Sequence, residues 1–171
     1  MPPTATELLA ELPRLRRYAR VLTGDRELAD RLVEETLFRF RRRSSEAASE
    51  SARRLQLMAL LRTINAEELS SGTRATSLGG TFARPVKWVQ ERGGSARSLP
   101  DRATEMLALL GELPLEQREV LVLVAVEQLS YGDTATLLRI PVATVVSRLS
   151  QAREALHEAS TKARSAPHNA G

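Results

Sequence analysis

Apolar residues recur every three or four positions along most of this chain, and no stretch alternates strictly between hairpin turns. That period predicts helices and no sheet. The first helix opens at "TATE", where Thr4 can cap and Glu7 stands three residues on, the arrangement of a capping box. Its inward stripe is Leu8, Leu12, Leu15, Ala19 and Leu22, and it stops at "TGD". Asp25 caps a second helix with Leu28, Leu32, Val33, Thr36, Leu37 and Phe40 turned inward. A third runs from about Glu50 to Leu69 with Leu57, Leu60, Leu61 and Ile64 as its stripe.

The text changes between Ser70 and Ser98. "SSGTRATSLGGTFARPVKWVQERGGSARS" is rich in Gly, Ser and Arg and has no sustained period, so it reads as a tether with Trp88 as a local anchor. Beyond it, Pro100 and Asp101 open a helix that Gly111 is expected to stop, followed by an apolar helix from Leu115 to Gln128. Ser130 and Asp133 form a second capping box, "RIP" makes a tight turn, and a last helix runs from Val142 to about Ala159. The expected fold is all-α: a helical lobe over 1–70, a tether over 71–98, a second lobe over 99–160 and a frayed tail over 161–171.

On the last helix Val145, Leu149, Ala152 and Leu156 form one buried stripe. Ala143, Ser147, Ser150, Gln151 and Glu154 fall opposite it, with Thr144 and Arg148 on one shoulder and Val146 and Arg153 on the other. A short helix, a tight turn and a second helix with a small polar outer face is the helix-turn-helix plan, although a simple packing hairpin shares that spacing.

Composition narrows the chemistry. The net charge is +4, and nearly all the positive charge is arginine, which suits a polyanionic partner or simply a well-solvated surface. With no cysteine, thiol nucleophiles, disulfides and cysteine zinc sites are excluded, and a cytoplasmic protein is expected. No long apolar run or leader-like segment stands out, so neither a membrane span nor a signal peptide is expected. His157 and His168 are the only histidines and suggest no acid–base pair, and "GTRATSLGG" lacks the lysine and spacing of a phosphate loop. An enzyme, a cofactor, a metal site and a small-molecule substrate are therefore not expected.

"LPLEQREVLVLVAVEQLSYGDTATLLRIPVATVVSRLSQAREAL" resembles region 4 of the extracytoplasmic-function sigma factors of bacterial RNA polymerase, without gaps. "LPRLRRYARVLTGDRELADRLVEETLFR" resembles their region 2, most closely in the general-stress-response branch and in the sigma-like domain of that pathway's response regulator. The resemblance implies core RNA polymerase, promoter DNA and an anti-sigma factor as partners. It places Asp30, Leu32, Val33, Glu34, Glu35 and Thr36 on a polymerase-binding helix. It places Thr144, Ser147, Arg148, Gln151 and Arg153 on a helix that reads the −35 element, with Arg139 adding charge from the turn.

The chain departs from that family pattern in particular places. In "RLQLMALLRTINAEELSS", the stretch matching the −10-reading segment, Gln56 stands for a tryptophan, Thr63 and Ile64 for Asn and Arg, and Ser70 and Ser71 for a basic pair. Held single strands need stacked bases and phosphate contacts, so these losses weaken that role. In region 4, Val146 stands for a lysine, Gln151 for a common arginine, and the glycines of "LGIPVG" are gone. Two readings follow: a sigma factor with a divergent promoter preference, or a sigma mimic that occupies an anti-sigma factor or polymerase without reading promoters.

Overall fold

A computed structural model of the chain describes residues 4–42, 49–71 and 109–165. Most of the tether, Trp88 included, and the last residues of the tail lie outside the described residues.

Helix α1 (Ala5–Thr23) begins as expected: the Thr4 side chain accepts from the Glu7 N–H, and the Glu7 side chain accepts from the Thr4 N–H. Gly24 ends it in the left-handed conformation, which glycine adopts without Cβ strain. Asp25 Oδ1 then accepts from the Leu28 N–H at 3.0 Å and starts α2 (Arg26–Arg42). Ser49 caps α3 (Glu50–Ser70). The three helices bury their stripes against each other, with Leu15, Leu32, Leu57, Met58, Leu61 and Ile64 essentially without solvent contact. Each such side chain contributes about 1.5–3 kcal/mol of apolar burial.

The second lobe differs from the reading of its sequence in three places. Gly111 does not end a helix: residues 109–112 form a helical turn that runs through it. Arg118 reaches back to that turn and donates to the carbonyls of Leu110, Gly111 and Leu113 at 2.7–2.8 Å. Burial lowers the pKa of this guanidinium. The apolar run expected to be one helix to Gln128 is α4 (Leu115–Leu121) followed by a π-helical turn over Val122–Val126. Gln128 then sits at φ 58°, in the left-handed region that residues with a side chain seldom adopt. The last helix is longer than expected.

Ser130 caps α5 (Tyr131–Leu138), accepting from the Asp133 N–H at 3.0 Å while its hydroxyl donates to the Asp133 carboxylate. Arg139 closes α5 at φ 57°, and α6 runs over Val142–Ser165. α6 packs on α4 and α5 through Val145, Leu149 and Ala152, all buried, with Leu156 partly so.

The lobes also meet each other, because α1 packs on α4 and the π turn, and α3 packs on α5. That seam holds two buried carboxylates. Glu119 Oε1 accepts from the Tyr18 hydroxyl at 2.5 Å and from Arg62 Nε at 3.1 Å. Glu127 accepts from Arg17 Nε at 2.8 Å and from Arg14 Nη1 at 3.3 Å. Each carboxylate is charge-paired from the other lobe, which is what makes its burial tolerable. No described helix is long and apolar enough to cross a membrane.

Candidate nucleic-acid interface

The outer surface of α6 is built by its register. With Val145, Leu149 and Ala152 inward, Ala143, Ser147, Ser150, Gln151 and Glu154 are all exposed. These small or polar side chains permit a close approach to base edges. Thr144, Arg148 and Gln151 form the flank next to α4, with Thr144 and Arg148 half-buried. On the opposite flank Val142, Val146, Ser150 and Arg153 are exposed. Among the described residues no carboxylate pairs with Arg153. Arg148 Nη2 meets Glu116 Oε2 at 2.5 Å, and Gln117 Nε2 donates to Gln151 Oε1 at 3.3 Å. Arg139 is exposed at the end of α5, beside the start of this helix. Thr144, Ser147, Arg148, Gln151 and Arg153 therefore all lie on the outside or shoulders of one helix.

α3 presents the opposite arrangement. Its outward row of Gln56, Thr63, Ala66 and Ser70 is exposed and carries no charge, with Ala59 half-buried between them. Its arginines face inward or sideways and are held by carboxylates of the protein. Glu7 takes Arg53 at 3.1 Å, Glu11 and Glu50 take Arg54 at 3.2 and 2.6 Å, and Glu119 takes Arg62 at 3.1 Å. Ile64 is buried in the core, so its place in the sequence is a packing position and not an outward one.

The six residues singled out on α2 divide in two. Leu32, Val33 and Thr36 are buried within the first lobe, and the Thr36 hydroxyl donates to the Leu32 carbonyl at 2.7 Å. Glu34 is exposed, Asp30 pairs with Arg16 at 3.4 Å, and Glu35 pairs with Arg39 at 2.6 Å. Arg39 also meets Glu67 of α3 at 2.6 Å, and the hydrogen bonds it donates to both carboxylates raise its pKa. Phe38 is exposed on the same helix with the Arg42 guanidinium 5.5 Å from its ring centre, a cation–π contact. The sequence reading missed Phe38. An aromatic residue breaking the polar side of the helical period was the signal for it.

Among the described residues no cluster of three or more His, Asp or Glu side chains is arranged to hold a metal. Comparison with known proteins matches both lobes. Residues 8–62 match the family described as the Sigma2 domain of PhyR, and residues 103–156 match Sigma-70, region 4. The chain is 32% identical over 151 residues to the ECF RNA polymerase sigma factor EcfG of Rhodopseudomonas palustris, covering 88% of this chain and 81% of that protein. It is 31% identical over 128 residues to the ECF RNA polymerase sigma factor SigC of Mycobacterium tuberculosis, covering 75% and 68%. Among solved structures, the co-crystal structure of the sigma factor RpoE with the anti-sigma factor NepR from Bartonella quintana is similar with a TM-score of 0.68 and 26% identity, covering 91% of this chain and 95% of that one. Both lobes match in order across most of the chain, and it belongs to the extracytoplasmic-function sigma factors of RNA polymerase, with the general-stress-response branch.

Proposed function

We propose that this sigma factor binds core RNA polymerase along α2 and reads the −35 promoter element with α6, in the cytoplasm and without catalysing a reaction itself. The observation that carries the reading is the outer surface of α6. Small polar side chains sit at its centre, with Arg148 and Gln151 on one edge and Arg153 on the other, and the inward stripe is fully used in packing. That is the surface a major-groove helix needs. Val142 and Val146 add exposed apolar surface near the start of the helix, suited to thymine methyl groups, so Val146 changes the preferred sequence where a lysine would grip phosphate.

On α2, exposed Glu34 with Asp30 and Glu35 forms the docking rim, and Leu32, Val33 and Thr36 set its shape from within. The lobes act as two helical units over 1–70 and 99–160, joined by the 71–98 tether. The structural relative was solved with an anti-sigma factor, and a partner of that kind is proposed here too.

A second reading, the sigma mimic, draws support from α3. Every arginine there is held by a carboxylate of the protein, its outward row is neutral, and the first lobe matches the Sigma2 domain of PhyR. Reconstitution with core polymerase on a library of genomic promoter fragments separates the two. A sigma factor yields discrete transcripts that depend on the chain and are lost in Arg148→Ala. A mimic binds core polymerase or an anti-sigma protein and yields none.

A further inference from the structure

Arg148 and Gln151 lie one turn apart on the flank of α6 beside the start of α4, and both are held from there. Glu116 takes Arg148 at 2.5 Å, and the next residue, Gln117, takes Gln151 at 3.3 Å. The Glu116 side chain is 68% exposed and that of Arg148 25%, so the pair adds little to stability. Its consequence appears when a polyanion arrives. A guanidinium has more than one donor edge, and Glu116 occupies one of them while leaving others for a base or a phosphate. The exposed carboxylate repels phosphates on any sequence. A guanine whose two acceptors meet the free edge of Arg148 offsets that repulsion only at the correct site.

We infer that Glu116 is a positioning residue for sequence choice. It orients Arg148 and holds it back from indiscriminate phosphate contact, so that the chain discriminates between promoter and bulk DNA more sharply than α6 alone would. The inference rests on the reading of α6 as the groove helix. It does not depend on the first lobe.

The test uses the full chain and two probes: a short duplex of random sequence, and a duplex recovered from a randomised pool by the unmodified chain. Glu116→Gln is exposed and its thermal melt should be unchanged. It should tighten binding to the random duplex about threefold or more, and steepen the slope of log affinity against log salt by up to about 0.9, the value of one more neutralised phosphate. Affinity for the recovered duplex should rise less, so the ratio between the two probes falls. In an Arg148→Ala background the same substitution should produce less than half of these changes.

Unchanged affinity and slope for the random duplex would overturn the inference. So would an equal gain with and without Arg148, because Glu116 would then act as a general repulsive charge. If the unmodified chain binds neither random nor pooled DNA at low salt, the groove reading of α6 falls and the inference with it. DNA binding without a Glu116 effect removes the inference alone.

Discussion

α3 and α6 are both amphipathic helices, and in both the inward face is apolar and essentially closed to solvent. They differ in where their charges go. Arg53, Arg54 and Arg62 of α3 are each held by carboxylates from α1, from α3 itself or from the second lobe, and its outward row is neutral. On α6 the packing uses Val145, Leu149 and Ala152 with part of Leu156. Arg153 is exposed with no carboxylate partner among the described residues, and Arg148 is held by the exposed Glu116 of α4. Counting cations on a helix therefore says little about nucleic-acid binding. What matters is how far the fold has already engaged them: all three α3 arginines are held by carboxylates. On α6, by contrast, Arg148 gives one edge to the exposed Glu116 and Arg153 meets no carboxylate among the described residues.

The largest effect is expected where an α3 arginine is removed. Arg62→Ala leaves Glu119 buried with only the Tyr18 hydroxyl, and should cost about 2–3 kcal/mol, less than a fully buried pair because Arg62 is itself 38% exposed. Urea denaturation measures it. A stability change near zero would mean that Arg62 is free for DNA, and the contrast with α6 would fail.

High pH tests the same site from the other partner. Burial first, then the neighbouring Glu119 charge, raises the Tyr18 pKa well above its ordinary value, only partly countered by Arg62. A raised pKa contributes stability that is complete below the unfolded value near 10 and is lost as pH climbs toward the folded one. Unfolding free energy should therefore fall above about pH 10, by up to about 1.4 kcal/mol per pH unit from this group. Phenolate absorbance from Tyr18 should appear only with unfolding, and Tyr18→Phe should remove that part of the pH slope.

Arg139→Gly should raise stability by about 1 kcal/mol, since a left-handed residue with a side chain is strained and glycine is not. Thermal or urea unfolding reads it. If Arg139 also adds charge beside α6, DNA affinity falls in the same variant.

The smallest stability effects, within about 0.5 kcal/mol, belong to Arg153→Ala and Val146→Lys, both at exposed positions. Their effect is on DNA. Arg153→Ala should flatten the log affinity against log salt slope by about 0.9, and Val146→Lys should steepen it by about the same amount. Unmoved slopes in both would take these two residues out of the interface.

Much of the fold was legible in the residues. The Thr4, Asp25 and Ser130 caps stand where the sequence placed them, as do the inward stripes of α1, α2, α3 and α6. The π turn was not legible, because the run "VLVLVAV" is apolar throughout and shows no break in period. The i to i−5 bond from the Glu127 N–H to the Val122 carbonyl at 2.9 Å widens the helix there and precedes the left-handed Gln128. Of the candidate site, the shoulders of α6 were legible from helical spacing alone. The hold of Glu116 on Arg148 was not, since those residues stand far apart in the chain and share no local pattern.

By itself the sequence determined most of the helices, their buried stripes and the Thr4, Asp25 and Ser130 caps, because these depend on neighbours within about four residues on one helix. It also determined the family, because both lobes carry their motifs in order. Only the tertiary structure decided the fate of the charges. Glu119 and Glu127 look like solvated helix positions in the sequence, yet both are buried, and their partners Tyr18 and Arg17 lie 101 and 110 residues away. A carboxylate leaves water only where a distant donor meets it, and no local pattern of residues records that meeting.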